Sequence, residues 1–155
     1  MLEKIDLVEV FADKDFDWIL HEGSPQDSFY KGHNTLHYQV FDAEVNYITE
    51  FAKKRFTKFA ISIIKQMPSM SIPLHTDTYH FFKQKHGLHL DQEVHRANIF
   101  LQDWEPGHYF EANGHPYVNW KAGEYIMLNK NLPHRSGNLG TKAKYTAQIT
   151  GILKF

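Results

Sequence analysis

The chain has 155 residues, enough for one domain with a proper core at the usual roughly 100–200 residues per domain. Its formal charge of −1 gives no electrostatic footprint for nucleic acid or an anionic membrane, and the lack of cysteine excludes disulfides, thiolate metal sites and a cysteine nucleophile. No apolar run approaches the roughly 18 residues of a membrane helix, and Met1-Leu2-Glu3-Lys4 does not open a signal peptide, so the chain reads as cytoplasmic with no membrane partner. In chain order, Ile5 to Phe11 is a short strand candidate and Asp15 to His21 a helical turn. Residues 22–34, with Gly23, Ser24, Pro25, Gly32 and Asn34, have loop composition. Asp42 is placed to cap a helix through about Phe56, because Val45, Ile48, Phe51, Ala52 and Phe56 recur at three- and four-residue steps.

From there the pattern changes. Phe59, Ile61 and Ile63 open a run of β character that reaches Leu74, and Ala97, Ile99 and Leu101 alternate with Arg96, Asn98 and Phe100. Tyr109 to Glu111 and His115 to Trp120 flank Asn113-Gly114, a dipeptide that favours a type I′ hairpin. Tyr125 to Leu128 and Tyr145 to Leu153 complete the set. One early helix followed by many short strands predicts a single domain over 1–155, with a support region about 1–56 and a β core about 57–153. The expected fold is mostly β: a double-stranded β-helix, the jelly-roll form of cupins, with one or more N-terminal helices packed on it.

The chemistry centres on His75, Asp77 and His134. On a strand, residues i and i+2 point the same way, so His75 and Asp77 can reach one point, and a distant strand would add His134. Two imidazoles and one carboxylate, with other positions open, form the metal site of non-haem Fe(II) oxygenases. A second H-x-D pair, His89 and Asp91, is the rival, but it follows Gly87 and an aromatic and basic stretch rather than a rigid strand. Either pair can also be a histidine bonded to a nearby carboxylate. His95, His108 and His115 compete with His134, although His108 and His115 flank the hairpin and read as exposed. His80, His86, His89 and His95 fit no structural zinc pattern and read as surface histidines.

Taken in order, His75-Thr-Asp77, Arg96-Ala-Asn-Ile-Phe-Leu101, Trp120-Lys-Ala-Gly123-Glu124, His134-Arg-Ser-Gly-Asn138 and Lys144-Tyr145 resemble the 2-oxoglutarate and Fe(II)-dependent oxygenases. The likeness spans roughly residues 57–153, toward the prolyl-hydroxylase branch and the small members encoded by viruses of bacteria. It implies Fe(II) as cofactor, 2-oxoglutarate as cosubstrate, and Lys144, ten residues past the distal histidine, as the cation for the far carboxylate of 2-oxoglutarate. Lys142 is its rival, and a solvated charge on an edge strand is the plain alternative.

Arg96 either receives a substrate carboxylate or pairs with Glu93, Asp103 or Glu111. Asn98, Tyr79 and Trp120 are further candidates for substrate contact, and Asn138 for support of the metal ligands. Tyr79, Phe81 and Phe82 form either a lid over the iron or a helix on the barrel rim. The expected activity is hydroxylation of a carbon centre in an amino acid, a peptide side chain or another small metabolite. A cupin-like metalloenzyme without 2-oxoglutarate, or a silent jelly-roll binding module, is the alternative.

Overall fold

The computed structural model describes residues 2–6, 11–13, 16–23, 35–129 and 131–155. The first half holds β1 (Glu3–Lys4), β2 (Ile19–Gly23), β3 (Thr35–Phe41), α1 (Asn46–Arg55), β4 (Phe56–Gln66), β5 (Ser71–His75) and α2 (His80–Lys85). The second holds β6 (His95–Phe100), β7 (His108–Ala112), β8 (His115–Tyr117), β9 (Glu124–Leu128), β10 (His134–Asn138) and β11 (Lys144–Leu153). Two antiparallel sheets result. The larger runs β1-β9-β6-β11-β4-β3-β2 and the smaller β5-β10-β7-β8.

The larger sheet is built on its three long-alternating strands. β11 lies between β4 and β6, with Ile149 opposite both Ile61 and Ala97, and Ala147 opposite both Ile63 and Ile99. Directly opposed residues share a face, so these six side chains form one apolar layer. They are buried with Ile48 and Ala52 of α1, which closes over the outer face of the sheet. The same alternation sends Gln66, Asn98, Lys144, Thr146, Gln148 and Thr150 to the opposite, inward face. A second apolar cluster, around Phe100, Phe110, Trp120 and Leu128, joins the two sheets. The jelly roll is therefore apolar outside its main sheet and partly polar within.

Several elements depart from the sequence expectation. Ile19–Gly23 is a strand paired with β3, not part of a helical turn, and residues 14–15 lie outside the described residues. Of the expected strand Ile5 to Phe11, residues 7–10 lie outside the described ones; it is Glu3 and Lys4 that pair with β9. The expected loop is described only at residues 22–23, which end β2.

Asp42 does not cap α1. The helix starts four residues later behind Val45, with no side-chain cap, while Asp42 adopts φ 51° and its carboxylate meets Lys85 at 3.5 Å. Aspartate tolerates the left-handed region, so the residue makes a corner rather than a helix start. Lys53, Lys54 and Arg55 occupy the last turn of α1, where cations oppose the helix dipole. The hairpin is as expected: Asn113 and Gly114 have φ 50° and 76°, the two positive values a type I′ turn requires.

Candidate metal centre

β5 and β10 are antiparallel neighbours in the smaller sheet, and His134 stands directly opposite His75. Their rings lie 4.3 Å apart between centroids. Asp77 comes two residues after His75, where the chain has left β5, and its carboxylate turns back between the rings. Oδ1 lies 3.5 Å from His75 Nε2 and Oδ2 lies 3.3 Å from His134 Nε2. One donor atom from each of the three residues falls within 4.8 Å of the others.

The far nitrogen of each ring fixes its chemistry. His75 Nδ1 lies 2.8 Å from the Pro73 carbonyl, and His134 Nδ1 lies 2.9 Å from the Leu132 carbonyl. A carbonyl only accepts, so both Nδ1 atoms carry the proton and donate. In the neutral rings each Nε2 then turns a lone pair toward a carboxylate. Three electron-rich atoms converging with no hydrogen between them repel one another until a cation, or extra protons, enters. His134 Nε2 is buried and has no hydrogen-bond partner among the described residues. Backbone carbonyls that orient imidazoles in this way are a usual support for metal ligands. The residues present thus fit a metal ion, and the donor set of two imidazoles and one carboxylate suits a divalent first-row metal.

Arg96 braces the carboxylate. Its Nη1 donates to Asp77 Oδ2 at 3.0 Å, its Nε donates to Thr150 Oγ1 at 2.9 Å, and its guanidinium lies over the Tyr79 ring at 5.2 Å. This corrects the expected partners Glu93, Asp103 and Glu111; register decides it, because Arg96 opposes Thr150 on the inward face. Burial alone would raise the Asp77 pKa, but the Arg96 charge beside it holds the carboxyl well below its ordinary value.

Two cavities meet at this cluster. An outer vestibule of about 620 Å³ is lined by His75, Asp77, Tyr79 and Arg96, with Phe41 and Phe81 among its outer residues. An inner cavity of about 200 Å³ is lined by His75, His134, Asn98, Lys144, Thr146 and Gln148, among others. Lys144 is 2 % exposed, and its Nζ donates to Gln66 Oε1 at 3.1 Å; Gln66 in turn donates to Ser136. The ammonium also lies 5.7 Å from the Trp120 ring centroid. Burial lowers its pKa to about 7, and among the described residues no neighbouring carboxylate offsets this. A buried cation without an anion costs several kcal/mol, of the order given for any desolvated ion. Lys142, the rival, is two-thirds exposed and pairs with Glu105 on the surface.

The other sequence candidates fall into place as follows. Asn98 faces the inner cavity, 2 % exposed, with its Nδ2 unpaired among the described residues. Tyr79 takes the left-handed conformation, φ 56°, at the start of α2 and lines the vestibule, so the Tyr79–Phe82 segment begins a short helix beside the site. Trp120 lines neither cavity; it stacks on Phe100 at 3.9 Å, and its indole N–H donates to the Gln102 carbonyl. Asn138 shows no hydrogen bond to the three metal-centre residues among the described bonds. Its Nδ2 donates to the carbonyls of Gln66 and Lys142 and its Oδ1 accepts from Gly140 N–H, which fixes the turn from β10 into β11.

His108, expected at the surface, is 1 % exposed, with Nε2 bonded to the Lys142 carbonyl at 2.8 Å and its pKa lowered chiefly by burial. His89 and Asp91 are exposed, and His75, Asp77 and His134 are the cluster of metal-ligating side chains found among the described residues. Sequence reasoning missed His37 and Gln39 on β3, both at the inner cavity. Burial lowers the His37 pKa to about 4, so that ring stays neutral. Their signal was present as period-two alternation with Tyr38 and Val40.

No family model matches the sequence, and no curated protein matches it. Solved structures do match. A Thermotoga maritima protein described as a predicted oxalate decarboxylase superimposes with a TM-score of 0.51 at 15% identity, covering 88% of this chain and 95% of that one. KdgF from Halomonas sp. gives 0.50 at 8% identity, covering 93% of each chain. The cupin domain of Schizosaccharomyces pombe Cnp3 gives 0.49 at 8% identity, over 88% of this chain and 84% of that one. The fold is the cupin double-stranded β-helix. At such identities the likeness carries the fold and not the chemistry. No helix among the described residues is long and apolar enough to cross a membrane.

Proposed function

We propose that the protein is an Fe(II)- and 2-oxoglutarate-dependent dioxygenase that hydroxylates a carbon centre of a small substrate. The observation that carries this reading is Lys144: a buried ammonium without a carboxylate partner among the described residues, lining the same small cavity as His75 and His134. A chelating 2-oxo acid needs two open metal positions at one end and a cation for its far carboxylate at the other. His75 Nε2, an Asp77 oxygen and His134 Nε2 would hold the iron, which when bound supplies the activation of dioxygen. Gln66 orients the Lys144 ammonium, and Ile64, Ile72 and Phe110 give the inner cavity its apolar wall. Overall, 2-oxoglutarate, O₂ and R–H become succinate, CO₂ and R–OH; one oxygen atom goes to succinate and the other to the substrate.

The test is succinate formation by the iron-loaded protein. It should require O₂ and 2-oxoglutarate, fall to background in His134→Ala, and demand far more 2-oxoglutarate in Lys144→Met. Turnover that is metal-dependent but indifferent to 2-oxoglutarate would favour the second reading, a cupin-like metalloenzyme acting without a 2-oxo acid.

A further inference from the structure

We propose that the outer vestibule binds an amphipathic carboxylate: a small molecule with one carboxylate head, held by Arg96, and an apolar body laid on Phe41 and Phe81. The vestibule's volume of about 620 Å³ lies within the 300–1,000 Å³ or so of small-molecule sites. It contributes His75 and Asp77 to its own wall, so a ligand inside reaches the metal centre without passing through the inner cavity.

The charges of the vestibule select the head group. Its two acids each have a cation: Asp42 meets Lys85 at 3.5 Å, and Asp77 meets Arg96 at 3.0 Å. A divalent ion on Asp77 would leave the wall with surplus positive charge, so an anion is favoured and an ammonium is repelled. Arg96 is built to receive that anion. Thr150, Asp77 and the Tyr79 ring hold it on three sides, and among the described residues its Nη2 donates no hydrogen bond. A guanidinium fixed in this way has lost its side-chain freedom before the ligand arrives.

The aromatic residues select the body. Phe41, at the end of β3, is 51 % exposed, and Phe81, on α2, is 85 % exposed; both line this one cavity. Phe82, next on α2, is buried with Tyr79 and Val94, so the helix is anchored while it presents the Phe81 ring. Isolated exposed phenylalanines need no explanation, but two around one cavity beside a braced arginine form a wall with a head-group site. The proposal rests on the metal-centre reading for the surplus positive charge that favours an anion and for what becomes of the ligand, while the placement of Arg96 and of the two phenylalanines stands without it.

The experiment is calorimetry with three probes of one shape, 3-phenylpropanoate, 3-phenylpropan-1-ol and 3-phenylpropylamine, on the metal-free and the zinc-loaded protein. The acid should bind at least about tenfold more tightly than the alcohol, with the amine weakest. Phe41→Ala and Phe81→Ala should each weaken the acid several-fold, whereas Leu90→Ala, exposed away from the vestibule, should not. Arg96→Gln should erase the preference for acid over alcohol, and Arg96→Lys should keep part of it. Zinc binding is scored separately with a competing chelator. An acid preference that persists when no zinc binds supports the vestibule assignment while removing the metal reading. Equal binding of the three probes, or no effect of Phe81→Ala, which leaves a surface residue shortened and the fold intact, would overturn the assignment.

Discussion

The two faces of the larger sheet are made by the same three strands and serve opposite ends. Outward, Ile61, Ile63, Ala97, Ile99, Ala147 and Ile149 pack under α1, none more than 4 % exposed. Inward, Gln66, Asn98, Lys144, Thr146 and Thr150 are as thoroughly buried, yet every one is polar or charged. Burial of the first set is stabilising at about 25 cal/mol per Å² of apolar surface, while burial of the second costs free energy wherever a partner is missing. The unpaired Asn98 Nδ2 and the Lys144 ammonium are such places. The main apolar core thus lies on one side of the sheet, while on the other the polar groups share the interior with the second apolar cluster, so substitutions at these two sets of residues should separate stability from binding.

The largest expected effect is on the outward face. Ile149→Ala removes a side chain with no solvent exposure and should destabilise by about 3 kcal/mol in urea unfolding, the usual cost of such a cavity, with metal affinity unchanged. The inward face should behave in the reverse way. Lys144→Met should weaken 2-oxoglutarate binding by about 2–3 kcal/mol, the cost of leaving a carboxylate without its charged partner, while thermal stability holds or rises by about 1 kcal/mol. A large loss of stability in Lys144→Met would place that residue with the structural core instead.

Acidity should sharpen the contrast. Lys144 titrates near 7 in the folded protein against 10.5 for the ordinary side chain. Between those values the unfolded chain holds a proton that the folded one has released, so the folded state gains stability as pH rises through that window and bears the full cost below it. Urea midpoints of the native chain and Lys144→Met should therefore converge toward pH 10, separate as pH falls through the window, and keep their full difference below about pH 7. Binding of 2-oxoglutarate has the opposite slope, because the ammonium it needs is lost above about pH 7. The smallest effect belongs to Lys142→Ala, which removes a surface pair with Glu105 and should change stability and cosubstrate binding by no more than about 0.5 kcal/mol.

The same contrast explains what the sequence did and did not disclose. β4, β6 and β11 were legible because one of their faces is apolar, which leaves period-two alternation in Phe59-Ala-Ile-Ser-Ile and Ala97-Asn-Ile. β10 was expected only as a distant strand that brings His134, without bounds. His134-Arg-Ser-Gly-Asn138 has four buried positions and no large apolar side chain, so hydrophobicity cannot separate it from a loop. β3 did carry alternation, His37 and Gln39 with Tyr38 and Val40 between and after them, and what the sequence could not show is that its polar positions face the cavity.

His108 was misread because its burial depends on a hydrogen bond to Lys142, 34 residues away, which no local pattern encodes. The placement of His75, Asp77 and His134 was accessible through spacing and residue type. Their meeting point depends on the pairing of β5 with β10, which only the folded chain displays.

The most direct test of the central claim is anaerobic absorption spectroscopy of the protein with Fe(II) and 2-oxoglutarate. A 2-oxo acid chelated to iron in the inner cavity gives a weak visible charge-transfer band. The band should be present in the native chain and absent in His134→Ala, and it should appear in Lys144→Met only at much higher 2-oxoglutarate. Stoichiometric iron binding with no band at any 2-oxoglutarate concentration would contradict the account and leave the cluster as a metal centre of another kind.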